Sequence, residues 1–323
     1  MVLRARLGLA PDEAIDPDVP LTVRGRPLGF EARSLLQEFL ANPPAPPSLT
    51  LVEAANISAR YVSLIHEGGE TEIFAIPTDD VPLPTAAELC LVQALCAADD
   101  HQLERVFSGG VVAVLNGVPD GMMIASLLAV SATIPSGETT KFGKITAAMI
   151  NSESLPVRSE KFEEIFKSSL TSNPRKFRFL ELYRVLENQY IRSIKRTLDD
   201  GYGAGPKAAL VQALASIQSE LKQLTLISAR HKPQFESFFD LLQTFDGSNR
   251  LTTALFKKVN KEKITDKHAK GAALIYFLRC AIVHAGTKDI IFESYADGET
   301  LLSSIIEDVE VLVCGCNGIE IQE

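Results

Sequence analysis

The apolar residues of this chain change rhythm near residue 159. Before that point, short segments are cut repeatedly by proline and glycine. Pro17, Pro20 and Pro27 interrupt the opening, where residues 21–24 read as a short strand. Residues 30–40 place Leu35, Leu36, Phe39 and Leu40 on one side of a helix, and the run 42–47, NPPAPP, ends it in an extended connector. Residues 59–67 and 71–76 flank Gly68-Gly69-Glu70 and predict a hairpin. Tyr61, Ser63 and Ile65 fall on one of its faces, Val62, Leu64 and His66 on the other, with His66 read as exposed near the turn. A helix follows over 85–98, with Leu89, Val92, Leu95 and Cys96 at helical spacing, and then a strand over 111–115. The apolar run 122–134 is compatible with helix or strand, and 139–143 resembles a loop before a strand or short helix.

From residue 159 the spacing becomes that of helices. A short amphipathic one covers 161–170, and Pro174 opens a long one through about 198. Its apolar stripe is Phe177, Leu180, Leu186, Ile191, Ile194 and Leu198. After a glycine-rich connector at 199–205, a second long helix runs to about 229 with Leu210, Leu214, Ile217, Leu221 and Leu224 expected inward. Further helices are predicted over 235–245, 249–259, 270–286 and 301–313. The pattern therefore predicts a mixed α+β domain over 1–158, to which the residues assign no role, followed by an all-α helical bundle over 159–323.

Composition narrows this picture. A 323-residue chain that is 46% hydrophobic and 23% charged has the makings of a sizeable core. No apolar run reaches the ~18–20 residues of a membrane span, and the N-terminus lacks a secretory signal, so the expected location is the cytoplasm. Five cysteines, an odd number in so long a chain, do not suggest a disulfide framework. Cys90 and Cys96 read as small packing residues; Cys314-Gly315-Cys316 lacks the nearby third and fourth ligands of a metal site, and no metal or other cofactor is expected. The net charge of −9 is unevenly spread: −10 over residues 1–160, +8 over 161–270 and −7 over 271–323. The basic block suits phosphate, and equally suits the acidic parts of its own chain.

The chemistry concentrates in residues 270–286, KGAALIYFLRCAIVHAG. Arg279 and His284 are the strongly polar side chains in its apolar stretch. A guanidinium in such a helix is costly unless paired. Their five-residue step turns about 140° and rises roughly 7.5 Å, so both reach one ligand only in a cleft between helices or subunits. The structural alternative is Arg279 paired with a buried carboxylate and His284 satisfying terminal carbonyls. Glu187, four residues after Tyr183 on the stripe of the 174–198 helix, is the carboxylate expected to meet Arg279. Lys257, Lys258, Lys261 and Lys263 read either as a solvated helix end or as contacts to an RNA backbone.

The Arg-x-x-x-x-His spacing, the apolar helix that carries it and the upstream FRFLELYRVLENQY (177–190) resemble the HEPN superfamily, in its phage-defence and abortive-infection branch. The resemblance covers roughly residues 161–315; Cys280 stands where a polar residue is common, and Gly286 where a nucleotidyltransferase-partnered branch has Tyr. It implies a HEPN-like bundle and a metal-independent endoribonuclease of a defence or toxin system. Arg279 and His284 would work at a homodimer interface, with Glu187 as a third member. RNA, a second copy and a regulatory or antitoxin protein are the partners it implies, with the N-terminal domain as a control element. The alternative is a non-catalytic HEPN scaffold that binds nucleotides or a partner protein.

Overall fold

The computed structural model describes the chain except residues 1, 14, 15, 17–19, 135–137, 152–159, 204, 218 and 284–289, and except the side chains of 160, 197, 212, 215 and 216. The chain forms two compact units: Met1–Pro135 with Phe142–Ile150 and Gln322–Glu323, and Ser136–Lys141 with Asn151–Ile321.

In the first unit, α1 (Val2–Arg6), β1 (Thr22–Val23) and β2 (Arg26–Pro27) precede α2 (Phe30–Ala41) and β3 (Leu49–Glu53). Then come β4 (Arg60–His66), β5 (Gly69–Ala75), α3 (Thr85–Ala97), α4 (Asp100–Ser108), β6 (Val111–Leu115), α5 (Pro119–Ser131) and β7 (Ala147–Ile150). The main sheet orders its strands β3-β6-β5-β4-β7, antiparallel except for the parallel β4/β7 pair. All of β6 is buried, as a strand covered on both faces must be. Phe74, Ala113 and Leu115 join Leu91, Leu95 and Leu36 in one core layer, while Val114 lies against Gly121 at the start of α5. The hairpin closes on Glu67-Gly68, with His66 opposite Gly69. His66 is half-buried there rather than exposed: Nδ1 accepts the Gly68 N–H at 3.1 Å and Nε2 lies 3.0 Å from Thr71 Oγ1. The ambiguous run at 122–134 is the helix α5, opened by Pro119 in its first turn. The α4 helix, which the apolar rhythm did not reveal, starts at a capping box between Asp99 and Gln102.

The second unit is built from α6 (Glu160–Thr171), α7 (Arg175–Glu187), α8 (Tyr190–Tyr202), α9 (Pro206–Ile217) and α10 (Glu220–Arg230). It continues with α11 (Lys232–Thr244), α12 (Arg250–Lys261), α13 (Lys267–Val283), α14 (Gly298–Cys316) and β8 (Ile319–Gln322), whose Gln322 counts with the first unit and accepts the Thr146 N–H at 2.9 Å. The coarse expectation, a mixed α+β region before a mostly helical one, holds. The boundary expected at 158/159 falls on residues outside those described.

Three helical expectations need correction. The helix predicted over 174–198 is two, α7 ending at Glu187 and α8 starting at Tyr190, with Asn188 and Gln189 between them. Gln189 is buried and its amide donates to the Cys316 carbonyl at 3.2 Å. The helix predicted over 206–229 is also two, because Ser219 adopts an extended backbone and caps α10 by accepting the Lys222 N–H. The second half of the first pair, α8, runs past the predicted end at 198 into the expected glycine-rich connector, as far as Tyr202. The third correction concerns facing. Leu210, Leu214 and Ile217 point outward, as do Phe177 and Ile191, while Ala209 and Ala213 form the buried side of α9. A Cβ on Gly201 would lie 3.0 Å from that of Ala209, so α8 and α9 approach through small residues and leave the larger ones outside.

At the centre lies α13, packed against α7, α10, α11 and α12. Its middle, residues 271–275, is apolar all round because it is covered all round. Leu274, Ile275, Leu278, Ala281 and Ile282 are buried, the larger side chains contributing about 1.5–3 kcal/mol each. A Cβ at Gly271 would run into the Phe235 carbonyl oxygen, so α11 and α13 touch backbone to backbone. Leu302, Ile305, Ile306, Val309 and Leu312 are the buried face of α14, as their spacing predicts.

Candidate functional site

The buried surround of α13 opens on one stripe near its C-terminal end. Tyr276, Arg279 and Val283, at i, i+3 and i+7, share that stripe, the first two half-buried and Val283 exposed, while Phe277, half-buried too, lies off it. Arg279 lies beneath this opening, with 19% of its side chain exposed. The last residue of α7 and the first of α10 meet it. Arg279 Nη2 donates to Glu187 Oε1 at 3.3 Å, and Nη1 lies 3.4 Å from Glu220 Oε2. Its guanidinium carbon stands 5.5 Å from the centre of the Tyr183 ring, within cation–π range. Below, the Tyr183 and Tyr190 hydroxyls are 2.9 Å apart, both buried.

The contact expected between Glu187 and Arg279 is therefore present. Glu220 is an addition that the sequence concealed, since a single helix over 206–229 placed it mid-helix. Its signal was local: Ser219, a good cap, directly before an acidic first-turn residue.

One cation between two carboxylates leaves this cluster with a net charge of −1. Burial raises the Glu187 carboxyl above its ordinary range; Arg279 opposes that shift and Glu220 reinforces it. Burial works against the Arg279 charge, but Glu220 and then Glu187 outweigh it, and the guanidinium is held more firmly protonated. Burial pushes both tyrosines up; Tyr190 adds to the shift of Tyr183, whereas at Tyr190 the hydrogen bond with Tyr183 opposes it and the Glu187 and Glu220 carboxylates reinforce it, so both act as neutral hydroxyls. The arrangement orients a planar guanidinium toward an opening and places beside it a carboxyl that gains a proton more readily than usual. Those are the parts needed to hold a phosphate and to move a proton near it. His284, the residue expected to complete the pair, follows Val283 directly in sequence and lies outside the described residues.

The four lysines do not form one surface. Lys257 and Lys261, one turn apart on α12, edge a shallow groove with Asp246, Thr253 and Asn260. Lys258 turns the other way and lies 5.9 Å from the Phe277 ring on α13. Lys263 follows the helix end in a left-handed backbone, φ 55°. Phe277 and Arg279 are two residues apart, about 200° around α13, so the lysines are not brought to the Arg279 opening.

A second buried ion pair escaped the sequence reading entirely. Arg178 on α7 pairs with Glu310 on α14, both essentially inaccessible. Glu310 also accepts from Thr140 Oγ1 at 2.8 Å and from the Lys141 N–H at 2.9 Å. Burial raises the Glu310 carboxyl despite these partners. Arg178 Nε and Nη1 have no hydrogen-bond partner among the described residues. This pair ties α7, which supplies Glu187, to the core. Cys314 and Cys316 are wholly buried nearby in sequence, and burial pushes both thiols up, as expected of packing residues. Among the described residues, no group of His, Cys, Asp and Glu is placed to hold a metal ion, and no helix is long and apolar enough to cross a membrane. No family model, curated protein or solved structure matches the chain.

Proposed function

We propose that this protein is a metal-independent endoribonuclease of HEPN type, working as a cytoplasmic homodimer in a defence or toxin system. The observation that carries the reading is the meeting of Arg279 with Glu187 beneath an open stripe of α13, in the helix whose chain runs directly on to His284. Cleavage of RNA at a 2′-hydroxyl needs a base for that proton, an acid for the leaving 5′-oxygen and a cation for the phosphorane. Arg279 supplies the cation as a planar fork, oriented by Glu187. His284 supplies proton transfer near neutral pH. One chain offers one such histidine, and a two-fold dimer offers two around one cleft. Among the described residues, the stripe of Tyr276, Arg279 and Val283 is a face of α13 available to a second copy. The exposed Lys257 and Lys261 suit the flanking RNA backbone. A regulatory or antitoxin protein would restrain such an activity in the cell.

A second reading draws on Glu220. Two carboxylates already occupy the Arg279 fork, which is what a helix-locking ion pair in a non-catalytic HEPN scaffold would look like. RNA incubated with the purified protein in EDTA separates the two. The enzyme yields fragments ending in 2′,3′-cyclic phosphate. Intact RNA under all conditions, including with the protein encoded beside it, leaves the scaffold.

A further inference from the structure

Arg279 meets its two carboxylates in different ways. Glu187, the last residue of α7, touches the guanidinium at one point, with Oε1 3.3 Å from Nη2. Glu220, the first residue of α10, spans both terminal nitrogens: Oε2 stands 3.4 Å from Nη1, and Oε1 accepts from Nη2 at 3.5 Å. Two oxygens set across two guanidinium nitrogens is also the way an arginine fork takes a phosphate. The distances are long beside the ~2.7–2.9 Å of charge-assisted hydrogen bonds, so the fork holds Glu220 loosely.

Exposure and charge agree with that geometry. Glu220 is the most exposed of the three side chains, at 40% against 30% for Glu187 and 19% for Arg279. Burial works against the Arg279 charge, and of the two carboxylates that outweigh it Glu220 contributes more than Glu187. Among the described residues, the hydrogen-bond and ion-pair contacts of the Glu220 carboxylate are those with Arg279. The start of α10 is held separately, by the Ser219 side chain on the Lys222 N–H, so the Glu220 side chain can swing out without undoing the cap. Its charge stays favourable there, in the first turn of a helix. A phosphodiester that joined both carboxylates would put three negative charges on one cation. A phosphodiester that replaced Glu220 would keep the net charge at −1 and the fork filled.

We propose that Glu220 occupies the phosphate seat of Arg279 and holds the site closed, so that an RNA phosphodiester binds by displacing it while Glu187 stays and orients the guanidinium. The inference rests on the reading of Arg279 as the cation that holds the RNA phosphate, and it adds the regulation of that site. The two carboxylates then act in opposite directions, one competing with the ligand and the other preparing the arginine for it.

The test is fluorescence anisotropy with a labelled 2′-O-methyl oligoribonucleotide, which binds but has no 2′-hydroxyl to react. Glu220→Gln should bind it about tenfold tighter than the parent, the size of one charge-assisted contact released from competition. Glu220→Asp keeps the charge but shortens the reach, and should give part of that gain. Glu187→Gln removes the same charge and should give none. In an Arg279→Lys background, which lacks the fork, Glu220→Gln should lose most of its effect. No gain in either Glu220 variant would overturn the proposal. So would an equal gain in Glu187→Gln, which would make the effect one of charge alone, or a gain that persists in Arg279→Lys. Because the probe cannot be cut, the outcome is separate from cleavage. Tighter binding by a protein that leaves natural RNA intact would keep the phosphate seat and remove the ribonuclease; cleavage by a protein whose Glu220 variants bind like the parent would do the reverse.

Discussion

At the scale of single residues, three charged or titratable groups lead to measurable differences. Arg279→Ala leaves Glu187 and Glu220 facing each other without their cation. We expect a loss of about 1–3 kcal/mol in urea unfolding, kept modest because the cluster is partly solvated. Arg279→Lys keeps the charge, loses the fork and should recover much of that stability. Glu310→Ala strands the wholly buried Arg178 and should cost about 3–5 kcal/mol, which the double change Arg178→Met with Glu310→Leu should largely restore. A double variant no more stable than Glu310→Ala would mean that the pair is not the source of the loss. His231 supplies a pH dependence. Its folded value of about 4 lies below the ordinary 6.5, so between those values the unfolded chain binds the extra proton. Stability is therefore full above pH 6.5 and declines as pH falls toward about 4. His231→Gln should flatten that part of the melting-temperature profile, and an unchanged slope would place the titration elsewhere.

At the scale of elements, Gly271 is the sharpest test of how α11 and α13 meet. Gly271→Ala drives a methyl into a backbone carbonyl that has no rotamer to yield, and overpacking of this kind costs about 1–3 kcal/mol. Thermal melts with unaltered stability would show that the two helices stand further apart. Elements such as these differ in how plainly the sequence announces them. The helices α12, α13 and α14 were legible, because their apolar residues either follow the helical period or fill the segment completely. The breaks at Asn188-Gln189 and at Ser219 were not, because the apolar period continues across each of them, while the Ser219 side chain caps a new helix and the Gln189 amide is held by the distant Cys316 carbonyl. Facing failed for α9 for a related reason: periodicity finds an apolar stripe but not what covers it, and here Ala209 and Ala213 take the inside. At the site, Glu187 was legible as a carboxylate on an apolar stripe that needed a cation. Glu220, Arg178 and Glu310 were not, since each acquires its partner only through tertiary contact.

At the scale of the whole molecule, the ribonuclease reading ties charge, assembly and chemistry together. If Lys257 and Lys261 hold the RNA backbone, replacing either with Ala should reduce the salt slope of RNA binding by about 0.7, one phosphate contact on a single strand. An unchanged slope would leave them as solvated helix-end charges. Light scattering at micromolar concentration should find a dimer in the active preparation; an active monomer would remove the shared cleft. The most direct measurement compares wild-type protein, His284→Ala and Arg279→Lys on one RNA in EDTA, with end-group analysis of the fragments and a melting curve for each preparation. Wild-type protein should leave 2′,3′-cyclic phosphate ends, while both variants melt close to the wild type and do not cleave. His284→Ala protein that is folded and cleaves at the wild-type rate would contradict the assignment of Arg279 and His284 as the catalytic pair.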